Sequence, residues 1–185
     1  MIPLAQPDIT KKERDAVMNV LKTPYLALGP KLKEFETKFA SYIGRKYAVA
    51  VSSGTSGLHL LVRAAGIGPE DEVITTPFSF IASANCVLYE NAKPVFVDID
   101  PDTLNIDPDK IEKSVSQKTK AIIAVDILGH PVDWDRILKV AQKNKLRVIE
   151  DSCEAFGAEY KSRKCGAFAE ASVFAFYPNK QMTTG

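Results

Sequence analysis

Cysteine is scarce in this chain, and its placement excludes two structural chemistries. Cys86, Cys153 and Cys165 are odd in number and none stands in CxxC spacing, so neither a disulfide framework nor a zinc site is indicated and the thiols read as buried or incidental. Histidine is scarcer still. His59 and His130 are the only two, and neither has a partner at ligand or triad spacing, so no metal centre is expected. His59 reads as a packing residue on a helix and His130 as part of a Gly129-His-Pro131 turn. A surplus of one charge is also missing: 24 Lys plus Arg face 23 Asp plus Glu, for a net charge of +1. Nothing therefore argues for a nucleic acid or an anionic membrane as partner, and any anion site must be local. No apolar run approaches the roughly 20 residues that span a bilayer. The opening MIPLAQPDITKKERD turns polar before a signal-peptide core can form, which gives a cytoplasmic protein as the expectation. Repeats, low-complexity segments and flexible linkers are absent as well. The 185 residues, 45% hydrophobic and 25% charged, suit one domain with one substantial core.

What is present is an alternation. Thr10-Lys-Lys-Glu13 fits a capping box ahead of an amphipathic helix to about Lys22. After Gly29-Pro30, the spacing of Leu32, Phe35, Phe39, Tyr42 and Ile43 puts them on one helical face, and Gly44 should end that helix. Short apolar runs follow at residues 47–51, 73–75, 95–97, 121–125, 148–149 and 173–176. Nearly all apolar, they suit strands buried on both faces. Helix candidates lie at 56–65, 81–91, 108–115 and 133–144. The pattern predicts an α/β three-layer sandwich with a mostly parallel mixed sheet. The last strand leads to Tyr177-Pro-Asn-Lys180-Gln-Met-Thr-Thr-Gly185 with no terminal helix or cap, and a truncated large domain is the expectation.

Several strand ends carry reactive chemistry. Val51-Ser-Ser-Gly-Thr-Ser-Gly57 leaves a strand run and opens a helix, where Gly54 permits close approach and Thr55 and Ser56 add hydroxyls. That suits a phosphate, or equally a helix cap made of small residues. Leu146-Arg-Val-Ile-Glu-Asp151 ends a strand in two carboxylates at the edge where open α/β sheets bind ligands, though such carboxylates also serve as turn residues. Phe80, past Thr76-Pro-Phe-Ser, is either core or a platform for a flat ligand. Lys180 taken alone is a surface lysine. A phosphate cradle, an aromatic platform, a strand-end aspartate and a lysine together make the parts of a pyridoxal 5'-phosphate (PLP) site. Asp126, at another strand end, is placed either to line the site or, the preferred reading, to serve a structural role, and Glu150 has no assigned role.

The order SSGTSGLHL, DEVITTPFSFIASANCVLYENAKPVFVDIDPDTLNIDP, VIEDSCEAFGAEY and FAFYPNKQMTTG, together with LALGPKLKEFETKFASYIG near the start, resembles the DegT/DnrJ/EryC1/StrS family of fold-type-I PLP enzymes along essentially the whole chain. The resemblance implies that Gly54, Thr55 and Ser56 bind phosphate, Phe80 stacks on the ring, Asp151 pairs with the pyridinium nitrogen and Lys180 forms the Schiff base. It implies an aminotransferase that moves an amino group, with glutamate the usual donor, to a nucleotide-linked keto-sugar, acting as a homodimer. Three departures stand out. Glu154 occupies a position near the ring hydroxyl that is usually Gln or His, Ala175 replaces a common phosphate-binding serine, and the glycine-rich continuation stops at Gly185. A smaller C-terminal domain is therefore expected to be absent from residues 1–185. A sugar dehydratase of the same family would carry histidine at the lysine, so Lys180 opposes it. A catalytically incompetent cofactor-binding or dimerisation fragment is the remaining alternative.

Overall fold

In the computed structural model, residues 5–184 are described; Met1–Leu4 and Gly185, where the expected glycine-rich continuation begins, lie outside the described residues. Five strands form one sheet: β1 (Glu72–Thr75), β2 (Lys93–Phe96), β3 (Thr119–Val125), β4 (Arg147–Asp151) and β7 (Ala171–Val173). Their order is β2-β1-β3-β4-β7, and every pairing is parallel. A separate antiparallel hairpin joins β5 (Glu159–Tyr160) to β6 (Arg163–Lys164).

The period-2 alternation of the strands divides the core in two. Ala121, Ile123 and Val125 point to one face, against Leu58 and Val62 of α3 (Gly54–Ala64) and Cys86 and Val87 of α4 (Ala82–Leu88). Ile122 and Ala124 point to the other, against Ile111 of α5 (Pro108–Ser114) and Trp134, Ile137 and Ala141 of α6 (Trp134–Asn144). Both faces are apolar because both are covered, and this gives the three-layer α/β sandwich.

Two helices precede these layers. α1 (Lys11–Leu21) starts on the predicted capping box, with the Thr10 amide donating to Glu13 at 2.8 Å, and buries no residue of its own. α2 (Pro30–Ile43) ends on Gly44 and presents Phe35 and Phe39 to the chain leaving β7. No described helix is long and apolar enough to cross a membrane.

One expected strand is absent. Residues 47–51 form no ladder, Tyr47 and Val49 are 75% and 78% exposed, and the Ala50 amide donates to the Glu36 carboxylate at 2.9 Å. An apolar run becomes a strand only beside a partner strand, and no described strand pairs with this one.

Candidate active site

The sheet reverses its winding between β1 and β3, because β2 lies to one side of β1 and the later strands to the other. Crevices at the carboxyl ends of strands near such a switch are where open α/β sheets bind ligands. A cleft of about 430 Å³ opens there, lined among others by Gly54, Thr55, Phe80, Asp151, Glu154 and Lys180. Its size lies within the ~300–1,000 Å³ usual for small-molecule sites.

One wall is the N-terminus of α3. Ser53 is the cap: its Oγ accepts from the Ser56 amide at 3.0 Å and lies 3.0 Å from the Ser56 hydroxyl. Ser56 therefore spends its amide inside the turn and does not line the cleft, whereas Ser53 does. The Gly57 amide donates to the Ser53 carbonyl at 3.0 Å. Gly54 and Thr55 remain at the wall, with the helix dipole behind them. A Cβ on Gly54 would come within 3.1 Å of the Cys153 sulfur and 3.2 Å of the Ala175 Cβ, so helix, β4 loop and β7 exit meet too closely for a side chain.

The floor is Asp151. The carboxylate is 4% exposed; Oδ2 accepts from the Ser83 hydroxyl at 2.8 Å and Oδ1 from the Cys153 amide at 3.3 Å. Burial pushes its pKa up, and the bonds from Cys153 and Ser83 and the charge of Lys180 only partly oppose that. The protein thus leaves a buried anion incompletely compensated, a position that favours a cation beside it. Ser83 is itself 2.9 Å from Ser79, one helical turn earlier.

Lys180 enters on a loop closed by the Thr183 hydroxyl and Thr184 amide, which both donate to the Phe176 carbonyl at 3.0 and 3.2 Å. Its Nζ lies 2.9 Å from Glu154 Oε1. Burial raises the Glu154 pKa, but the Lys180 ammonium and the Leu128 amide outweigh it and hold the carboxyl below its usual range. Phe80 stands at the rim, 70% exposed, on the loop between β1 and α4. The structure thus brings Gly54, Thr55, Phe80, Asp151, Glu154 and Lys180 to one cleft and leaves Ser56 at the adjoining turn, bonded to the Ser52 and Ser53 hydroxyls. Sequence reasoning missed Ser53, Ser79 and Ser83. The i, i+4 spacing of Ser79 and Ser83 ahead of a helix was the available signal for the last two.

Behind the cleft, three more ionisable groups meet. Asp126, Glu150 and Cys165 are buried, with ligand atoms within 4.8 Å of one another. Glu150 accepts from the amides of Gly166, Phe168 and Ala169, the last two at 3.0 and 3.2 Å, and Asp126 from the Val132 amide at 3.0 Å. The Arg45 Nε donates to the Gly166 carbonyl at 2.8 Å and its NH2 group to the Ala169 carbonyl. Glu150 organises the loop from residue 166 to 169, a structural role that explains this otherwise unassigned carboxylate, while Asp126 ties down Val132. The Cys86 thiol is pushed up to about 12 by burial and then by the charge of Asp151, and Cys153 and Cys165 move the same way for the same leading reason. Burial thus disfavours the reactive thiolate form at all three.

This combination of an all-parallel sheet, a helix N-terminus, a buried aspartate and a loop lysine is that of a fold-type-I PLP-enzyme large domain. The chain belongs to the DegT/DnrJ/EryC1/StrS aminotransferase family, whose model matches residues 7–185. It is 45% identical to a GDP-perosamine synthase of Caulobacter vibrioides, covering 100% of this chain and 50% of that protein. Among solved structures, it matches Helicobacter pylori PseC, an aminotransferase involved in pseudoaminic acid biosynthesis, with a TM-score of 0.95 at 37% identity, covering 98% of this chain and 49% of that one. The PLP form of Spr1654 from Streptococcus pneumoniae, a proposed sugar aminotransferase, gives 0.95 at 33% identity over 99% and 50%. The chain spans about half the length of the curated relatives it matches.

Proposed function

We propose that this chain is the PLP-binding half of an aminotransferase that transfers an amino group, from glutamate as donor, to a nucleotide-linked keto-sugar. The observation that carries the proposal is Asp151, a buried and incompletely compensated carboxylate in the same cleft as Lys180. The GDP-perosamine synthases and PseC among the relatives support the sugar substrate. The relatives' greater length supports a smaller domain in the parent protein, and we extend the proposal to a cytoplasmic homodimer.

The residues fit PLP on the chemistry of the donor set. Gly54 and Thr55 offer amides and a hydroxyl at a helix N-terminus for the phosphate, and Ser53 adds a second hydroxyl at the same wall. Asp151 would hold a proton on the ring nitrogen, with Ser83 and the Cys153 amide fixing the carboxylate in place. Phe80 would cover the ring and exclude water. When bound, PLP supplies the electron sink that a carbanion next to the transferred nitrogen requires. Lys180 would be the covalent anchor for the group and, as a free amine, would be the base placed to take the proton from that carbon.

Borohydride reduction of the PLP-loaded full-length protein tests this reading. Peptide mapping should find the reduced cofactor on Lys180, and Lys180→Ala should lose both the label and the near-ultraviolet or visible band. Trapping that survives in Lys180→Ala would sink the assignment.

A further inference from the structure

Glu154 is bound into the lysine loop more firmly than a cleft-lining carboxylate needs to be. Its Oε2 accepts from the Leu128 amide at 3.0 Å and its Oε1 from Lys180 Nζ at 2.9 Å. Its main-chain carbonyl accepts from the side chain of Gln181, the residue after the lysine. Leu128 sits at φ 52°, in the left-handed region that a branched side chain avoids, and Gly129 at φ 83° passes so close that a Cβ would stand 3.2 Å from the Glu154 carbonyl oxygen. Strained backbone of this kind persists where surrounding contacts over-determine it. Here it aims one amide at the carboxylate. That anchor is independent of the lysine, so the negative charge stays in place when Nζ moves. The pair is also sheltered: the lysine side chain is 16% exposed and the glutamate 30%.

The family resemblance puts this position beside the ring hydroxyl, yet the contact formed is with the lysine nitrogen. We propose that Glu154 is a positioning residue acting through Lys180: it is the fixed counter-ion of the lysine nitrogen whenever that nitrogen is cationic. When the free amine takes a proton from carbon, an ammonium forms at Nζ. The proton stays on nitrogen, and the carboxylate across the ion pair stabilises the new charge. Glutamate, unlike a glutamine, can serve the Leu128 amide and the ammonium at once, because both of its oxygens are acceptors. The use of the pair in catalysis rests on the aminotransferase reading; the pair itself does not.

The test has an arm that needs no cofactor. In the unloaded protein, competitive labelling with acetic anhydride, read by peptide mass spectrometry against the other lysines, should modify Lys180 about fivefold faster at pH 8 in Glu154→Gln than in the parent. Glu154→Ala should behave alike, which separates lost charge from a misplaced amide. In the PLP-loaded full-length protein, the pH at which the visible band changes should drop by about one unit in Glu154→Gln. Equal labelling at every pH overturns the inference, whatever the cofactor does. An unshifted band midpoint in a variant that still traps PLP at Lys180 overturns it too, and leaves the aminotransferase reading standing. A parent protein that shows no band refutes that reading, while the labelling arm still decides the role of Glu154.

Discussion

Replacing Asp126 by asparagine should stabilise the protein at alkaline pH while changing little in mild acid. Asp126 is fully buried at the end of β3; its Oδ1 accepts from the Val132 amide at 3.0 Å and its Oδ2 from the Ser152 hydroxyl at 2.8 Å. The same hydroxyl lies 3.2 Å from Glu150 Oε1, and its single proton cannot serve both carboxylates. Burial first, and the charge of Glu150 second, push Asp126 up to about 7 from 3.8. For an acid with a raised folded pKa, the folded state keeps a proton that the unfolded chain has released. Its contribution is therefore whole below 3.8 and is lost as pH rises through about 7. At about 1.4 kcal/mol per pK unit, the loss between pH 4.5 and 8 has a ceiling of roughly 3 kcal/mol. Asparagine keeps the acceptor for Val132, donates to Ser152 and frees that hydroxyl to turn to Glu150. Urea denaturation of both proteins across pH 4.5 to 8 reads the effect of this buried cluster, because the titrating groups away from Asp126, Glu150 and Cys165 are common to the pair. The variant should gain on the order of 2–3 kcal/mol relative to the parent over that range. A stability difference that does not vary with pH would refute the shared-proton account.

Asp151→Asn should lower turnover of the full-length enzyme by two or more orders of magnitude while part of the cofactor affinity remains, since the phosphate wall is untouched; comparison of kcat with PLP content checks it, and unchanged kcat removes the proposed role. Gly166→Ala should destabilise by about 2–4 kcal/mol, because the added Cβ would lie 2.5 Å from the Phe174 ring in a backbone at φ 93°; thermal unfolding measures it, and an unchanged Tm would contradict the packing described.

The layers were legible because the sheet is covered on both faces. Continuous apolar runs such as Ala121 to Val125 announce such strands, and the helical spacings between them announce the crossovers. Residues 47–51 misled because their run looks the same whether or not a neighbouring strand exists, and pairing is not a local property. Within the site, Asp151 and Lys180 stood at readable positions, at a strand end and in a Pro-Asn-Lys turn. Ser56 sits at the third position of α3, where its amide is taken by the Ser53 hydroxyl, a capping contact that a run of serines does not by itself specify. Glu150 was opaque for another reason: its amide donors lie 16 to 19 residues onward in an irregular loop that carries no periodic signal.

The aromatic cluster on α2 sets when a nascent chain can complete this cleft. Phe176, four residues before Lys180, packs its ring 5.3 Å from Phe35 and 5.6 Å from Phe39, so the lysine loop is braced by a helix translated some 140 residues earlier. Such long-range contacts form late and at a loop-closure cost. On the ribosome, Phe35 and Phe39 of α2 lack their Phe174 and Phe176 partners until β7 and its exit have emerged from the tunnel. Closure of the Lys180 loop onto α2 therefore comes late among the contacts of residues 5–184, after the helices and strands that flank it have been made.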